Sequence, residues 1–315
     1  MDQIIQTLII GLANGLIFAL VALGYTLVYG IIELINFAHG DVFMIGSLIA
    51  FALIAPPSVG GFGVFELTTA TPLPLMIVGI LITLAITMAL TAGLNAGIER
   101  VAYRPLRHAP KLAPLIAAIG MSFVLQNVGV VMAGSNQRTI ENPFPTTNLL
   151  SYIGITDITL TVSQVFVAVV TIPLLFALSW FVGTTKQGRA MRATAQDPAA
   201  AGLMGVDINR TIAITFLIGG GLAGAAGVVQ ILYNNVTVWD LGFRFGLIAF
   251  TAAVLGGIGN MRGAVLGAMI LGLVASFSDR YVSANWTQAI VFGVLVVIMV
   301  FKPTGLLGQQ LADRA

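Results

Sequence analysis

Nine apolar stretches set the rhythm of this chain: 4–29, 42–55, 73–98, 112–133, 162–182, 211–232, 245–258, 264–277 and 286–301. Within most of them apolar residues run on without the alternation of a half-buried strand, which predicts helices in hydrocarbon. A helix of about 20 residues, rising 1.5 Å per residue, crosses a hydrocarbon core of roughly 30 Å. Three stretches are short. Residues 42–55 cover only about 21 Å and are closed by Pro56 and Pro57. Residues 245–258 and 264–277 are joined by the turn-like GNMRG at 259–263. Pro173 is expected to kink the fifth stretch. The pattern predicts an all-α polytopic integral membrane protein with about eight or nine transmembrane segments, some short or broken. It predicts a single membrane domain over 1–315, because no polar stretch is long enough for a separate soluble domain.

The main polar interruption is 184–210, TTKQGRAMRATAQDPAAAGLMGVDINR. It predicts two short helices. Residues 187–196 are rich in helix formers, with Arg189, Arg192 and Gln196 spaced along one face. Asp197 is a good N-cap and Pro198 suits the first helical position, so a second helix starts there. Gly205 can close it, and Asp207 leads into the next apolar stretch. Ala193, Ala200 and Gly205 leave room for another protein to approach closely, Arg189, Arg192 and Asp197 shape the surface, and Gly188 belongs to the same coupling loop. The plainer alternative is an amphipathic helix lying on anionic lipid headgroups.

Composition sharpens this picture. The 315 residues are 58% hydrophobic and 8% charged, against about 25% charged in soluble domains. There is no cysteine, so disulfide and thiol chemistry are excluded. The three lysines, Lys111, Lys186 and Lys302, are followed by Leu, Gln and Pro. None can belong to a phosphate-binding Gly-Lys-Ser/Thr loop, so any ATP-driven work must be done by another chain. Two histidines with no third ligand at metal spacing give no metal site, and there is no Gly-x-Ser-x-Gly nucleophile turn. His108 falls in a basic loop and is expected to be solvated. No catalytic residue, cofactor or nucleic-acid partner is expected, and the chain is not expected to be an enzyme.

Charge placement predicts orientation. The first basic residue is Arg100, so the first stretch lacks the positive start of a cleaved leader and is expected to be a retained span. With the N-terminus outside and nine crossings, Arg100, Arg104, Arg107, Lys111, Lys186, Arg189, Arg192, Arg210, Arg262, Lys302 and Arg314 face the cytoplasm, as does the C-terminus. Only Arg138, Arg244 and Arg280 face out.

Two motifs are candidates for a solute path. IIELINFAHGD at 31–41 places Glu33, Asn36, His39, Gly40 and Asp41 between two apolar stretches. These residues either cap two helix ends at the interface or break the helix inside the protein and border the path. GGIGNMRGA at 256–264 contributes Gly256, Gly257 and Gly259. It reads either as close helix packing or as a second interruption, and interruptions in both halves of a transporter point to its substrate path. GGGLAGAAG at 219–227 is expected to serve packing.

Five motifs in order carry a resemblance: YTLVYGIIELINFAHGDVFMIG at 25–46, ERVAYRPLR at 99–107, GRAMRATAQDPAAAGLMGVD at 188–207, AVLGGIGNMRGAVLGA at 253–268 and KPTGLLG at 302–308. Nearly end to end, the chain resembles LivH-like permease subunits of branched-chain amino acid ABC importers. It has Lys302 where such permeases often have Arg. The resemblance implies the ABC importer permease fold, a second homologous permease as partner, and two cytoplasmic ATPase subunits docked on the segment matching 188–207. It also implies a solute-binding protein outside the membrane, meeting the loops around 135–161 and 233–244, and a bacterial or archaeal plasma (inner) membrane. Related systems carry urea or short amides. A stand-alone ion-coupled secondary transporter and a non-transporting membrane scaffold remain alternatives at this point.

Overall fold

The computed structural model describes residues 2–34, 36–107, 109–110, 112–154 and 157–308. His108, Lys111 and Arg314, expected on the basic face, lie outside these residues. Eleven α-helices are present among the described residues: α1 (Asp2–Ile32), α2 (Ala38–Ile54), α3 (Leu73–Ile98), α4 (Leu112–Ala133), α5 (Val162–Thr184), α6 (Lys186–Gln196), α7 (Pro198–Leu203), α8 (Ile208–Asn234), α9 (Leu241–Gly256), α10 (Met261–Tyr281) and α11 (Thr287–Phe301). Seven helical stretches are long and apolar enough to cross a membrane, and α2 and α9 are shorter apolar helices. A two-residue antiparallel ribbon pairs β1 (Arg138–Thr139) with β2 (Val236–Thr237), Arg138 opposite Thr237.

Helix α8 is buried along most of its length, and α1, α2, α9 and α10 complete the interior. Small residues set these distances. A Cβ on Gly224 would meet Thr91 Oγ1 at 2.1 Å, and one on Gly227 would meet the Ser47 nitrogen at 2.5 Å, so α8 lies directly on α3 and α2. Gly15 and Gly272 do the same between α1 and α10. In hydrocarbon there is no hydrophobic force between helices, and close van der Waals contact through small residues holds them together. The outer helices α3, α4, α5 and α11 instead expose large apolar side chains, among them Leu81, Phe123, Val131, Phe176, Trp180 and Val300. In water such a belt would cost about 25 cal/mol for each Å²; against lipid tails it costs nothing.

Two boundaries differ from the sequence pattern. Helix α2 begins at Ala38, not at 42, because His39, Gly40 and Asp41 are taken into its first turn. Helix α10 has 21 residues and is not a short segment, since it extends past Phe277 through Ser278, Asp279 and Arg280 to Tyr281. Helix α5 carries Pro173 inside its length.

The helices gather the loops into two ends. Gln6 accepts a hydrogen bond from Thr159 N at 2.8 Å, and Arg138 Nη1 donates to Val59 O at 3.2 Å. The start of α1 therefore shares an end with the α2–α3 and α4–α5 loops and the ribbon. That end carries Arg138, Arg244 and Arg280 beside Asp2, Glu66, Glu141, Asp157, Asp240 and Asp279. The opposite end carries Arg100, Arg104, Arg107, Lys186, Arg189, Arg192, Arg210, Arg262 and Lys302. The second is called the basic end below.

Candidate translocation path and docking knob

Between α1 and α2 the chain reverses. Glu33 takes φ +53, in the left-handed region, and His39 N bonds back to Asn36 O at 3.0 Å. Helix α2 then starts beside Gly24 and Tyr25 of α1: Gly40 N donates to the Tyr25 hydroxyl at 3.2 Å. Tyr25 lies seven residues before the end of α1, so α2 begins roughly 10 Å inside the basic end. Its shortness follows from this sunken start. On its other side α2 crosses α9 at glycines. A Cβ on Gly40 would fall 2.4 Å from Gly242 O and 2.8 Å from the Gly246 Cα. His39 is fully buried against α1; its ring meets Tyr25 edge-on at 4.8 Å, over the bare Cα of Gly24.

Asp41, one step along α2, faces α4. Ser122 Oγ donates to Asp41 Oδ2, and Gln126 Nε2 donates to Ser122 Oγ at 3.1 Å. The second carboxylate oxygen, Oδ1, is buried and has no hydrogen-bond partner among the described residues. Beside this cluster lies a cavity of about 450 Å³, walled by Ser122, Gln126, Ile119 and Phe123 of α4 and by Gly242, Phe243, Gly246 and Leu247 of α9. Tyr25 and Phe37 form the rest of its lining. Ser122 is ten residues from one end of the 22-residue α4, about 15 Å, so the cavity sits at mid-depth.

Toward the basic end the cavity is closed by aromatic rings. Phe250 lies 6.1 Å from Tyr25 and 5.9 Å from Phe37, centroid to centroid. Beyond them is a void of about 10 Å³ lined by Tyr25, Thr26, Tyr29, Asn36 and Phe250 among others. Asn36 is buried there in a polar chain: Tyr103 Oη donates to Asn36 Oδ1 at 2.9 Å, Asn36 Nδ2 reaches Asn95 Oδ1 at 3.5 Å, and Asn95 Nδ2 donates to Phe216 O at 2.6 Å.

The segment 184–210 forms a two-helix knob at the basic end. Thr185 caps α6 by accepting from Gly188 N at 3.0 Å. Asp197 caps α7 by accepting from Ala199 N and Ala200 N at 2.9 and 3.0 Å. Gly205, at φ +85, follows α7, and Asp207 caps α8 through Arg210 N at 3.0 Å. Gly188 lets α6 fold back on α5, for a Cβ there would lie 2.3 Å from Val182 O. Arg192 Nη1 donates to that Val182 carbonyl, and Arg189 Nη1 to Thr184 O at 3.2 Å. Both arginines thus satisfy carbonyls that the C-terminus of α5 leaves open. Ala193 is half-buried and Ala200 exposed. The tip presents Leu203 and Met204, 90% and 86% exposed.

Gly256, Gly257 and Gly259 lie at the basic end, apart from the mid-depth cavity. Gly256 touches Gly263 where α9 meets α10, and Gly257, at φ +105, packs on Leu307 and Gly308. The KPTGLLG segment closes α9: Leu306 N donates to Leu255 O at 2.8 Å and Leu307 N to Gly256 O at 3.0 Å. Gly259, at φ +87, approaches Gly30.

Comparison with known proteins places the chain. The family described as "Branched-chain amino acid transport system / permease component" matches residues 7–300. The chain belongs to this family. It is 40% identical to the high-affinity branched-chain amino acid transport system permease protein BraD of Pseudomonas aeruginosa, and 39% identical to LivH of Escherichia coli strain K12. Both alignments cover 98% of this chain and 97% of the relative. A probable LivH of Methanocaldococcus jannaschii is 27% identical over 92% of the chain. No solved structure gives a significant match.

In this permease the structure sets Gly40 and Asp41 directly behind Gly242, Gly246 and Ser122 of the cavity wall, with Asn36 one layer nearer the basic end. It sets His39 behind Tyr25, away from the cavity lining. Sequence reasoning missed Tyr25, Ser122 and Gln126 in the cavity lining and Leu203 and Met204 at the tip of the knob. Serine and glutamine in the middle of an apolar helix were a usable signal, because polar side chains at that depth need a partner or a water-filled space.

Proposed function

We propose that this permease forms the membrane path of an ATP-driven importer for branched-chain amino acids, together with a second homologous permease chain. Two ATPase subunits grip the knob 184–210, and a solute-binding protein delivers its load at the opposite end. The basic end faces the cytoplasm of a bacterium or archaeon, so the N-terminus lies outside the plasma membrane and the C-terminus inside. The whole chain, 1–315, acts as one permease domain.

The observation that supports this most is the knob. Its first helix is tied back to α5 by Arg192 and Thr185, which donate to Val182 O and Phe181 O, yet Leu203 and Met204 stand bare at its tip. A rigid apolar tip on the basic end suits a groove on a soluble partner, and movement imposed there passes directly into α8. The solute moves past Asp41 and Gly40, through the Tyr25, Phe37 and Phe250 rings, and past Asn36. His39, Gly256, Gly257 and Gly259 hold the helices that border this route. The apolar side chain of a branched amino acid suits Ile119, Phe123 and Leu247 on the cavity wall.

The test is transport by the reconstituted complex of this chain with its partner permease, ATPases and binding protein in vesicles. Labelled leucine is expected to enter only with ATP and with all partners present, and labelled urea is not. Uptake by this chain alone, driven by an ion gradient, would overturn the proposal.

A further inference from the structure

The buried carboxylate of Asp41, behind the mid-depth cavity, has no salt-bridge partner among the described residues. Asp41 is 1% exposed, and its Oδ1 lacks any hydrogen-bond partner among the described residues. An ionised group held like this in the middle of a membrane protein is costly and is characteristically matched by a mobile or bound charge. The space for that charge is adjacent. A Cβ on Gly242, a residue of the cavity wall, would lie 2.8 Å from Asp41 Oδ1. Gly242, bare of any side chain, therefore stands between the oxygen and the 450 Å³ cavity, whose lining does not include Asp41 itself.

The neighbours fit one kind of solute. Ser122 and Gln126 hold Oδ2 in place by a relayed pair of hydrogen bonds, which leaves Oδ1 to act. The Tyr25 hydroxyl accepts from Gly40 N and lines the cavity, so its own hydrogen can be donated to an anionic oxygen at the N-terminus of α2, where the helix dipole favours negative charge. The remaining wall is apolar. We infer that this cavity is a mid-membrane subsite for a zwitterionic amino acid, with Asp41 Oδ1 receiving the α-ammonium when α9 gives way at Gly242, the Tyr25 hydroxyl meeting the carboxylate, and the α4–α9 wall receiving the apolar side chain. The inference rests on the importer reading above and adds to it a station inside the membrane where the solute is recognised again after its release from the binding protein.

The test measures leucine entry and ATP hydrolysis together in vesicles holding the complete complex, and compares their ratio between variants. Asp41→Asn removes the charge at nearly constant volume. Leucine carried per ATP is expected to fall about 10- to 100-fold, the range for losing a hydrogen bond to a charged group. Ser122→Ala keeps the carboxylate but frees Oδ2, and its ratio is expected to fall only a few-fold. An unchanged ratio in Asp41→Asn, whether both rates persist or both fall together, would overturn the subsite. Absence of ATP-driven entry by the unaltered chain is a different result: it would sink the importer reading, and the subsite with it.

Discussion

The Tyr103 hydroxyl donates to Asn36 Oδ1 over 2.9 Å and so ties the reversal between α1 and α2 to the chain just past α3. Both residues are buried, and Tyr103 also lies against the Phe216 ring at 5.3 Å. Asn95 completes the tie by donating to Phe216 O within α8. The start of α2 is thereby coupled to the helix that leaves the knob. Tyr103→Phe keeps the ring and deletes the donor, leaving one lone pair of Asn36 unmet. A loss of about 1–3 kcal/mol is expected, read as an earlier thermal transition of the purified protein in detergent. A melting curve equal to wild type would show that the bond carries no stability.

The α2–α9 crossing predicts opposite signs for two glycine substitutions. Gly40→Ala forces a methyl to within 2.4 Å of Gly242 O, backbone that cannot swing aside. Overpacking of this kind costs about 1–3 kcal/mol. Gly93, within the last two turns of α3, has no atom of another described element within 4 Å of an added Cβ. Gly93→Ala should therefore raise stability by about 0.5–1 kcal/mol through helix propensity alone. Thermal denaturation of the pair tests both signs at once.

At the knob, two substitutions separate docking from scaffolding. Leu203→Ser together with Met204→Ser alters only exposed side chains, so the melting temperature is expected to stay within a degree or two of wild type. Co-purification of the ATPase subunits should weaken by about 30-fold or more, as for the loss of an anchor residue worth 2 kcal/mol. Arg192→Glu instead removes the donor to Val182 O and sets a negative charge at the C-terminus of α5, where the dipole opposes it. It is expected to lower the melting temperature as well as uptake. Equal thermal behaviour of the two variants would contradict this division.

Phe250 separates the mid-depth cavity from the small void nearer the basic end. Phe250→Ala is expected to join the two. The consequence is leakage: labelled leucine should escape from preloaded vesicles without ATP several-fold faster than from wild-type vesicles. Vesicles that stay equally tight would place the barrier elsewhere.

The sequence showed the helices well because membrane spans are long apolar runs with little competing signal. It also showed the knob, since Asp197-Pro198 and Gly205 are strong local cues for where a short helix starts and stops. It did not show that His39, Gly40 and Asp41 enter α2, because that depends on Tyr25, Gly242 and Gly246 from distant elements. Arg189 and Arg192 read as a charged docking face, yet their hydrogen bonds go to α5 carbonyls, which no spacing rule reveals. The partner of Asp41 was invisible for the same reason, as Ser122 is 81 positions away.

The sunken start of α2 has a consequence for how the protein is made. Its first turn carries His39 and Asp41, so this segment enters the bilayer poorly on its own and must go in as a hairpin with α1. Two of the helices that enclose it, α8 and α9, begin only at Ile208 and Leu241, which a ribosome adding 5–20 residues per second reaches on the order of 10–40 s later. Throughout that interval the nascent hairpin holds a half-covered carboxylate in the membrane, and this is the period in which the chain depends most on the insertion machinery and its membrane chaperones.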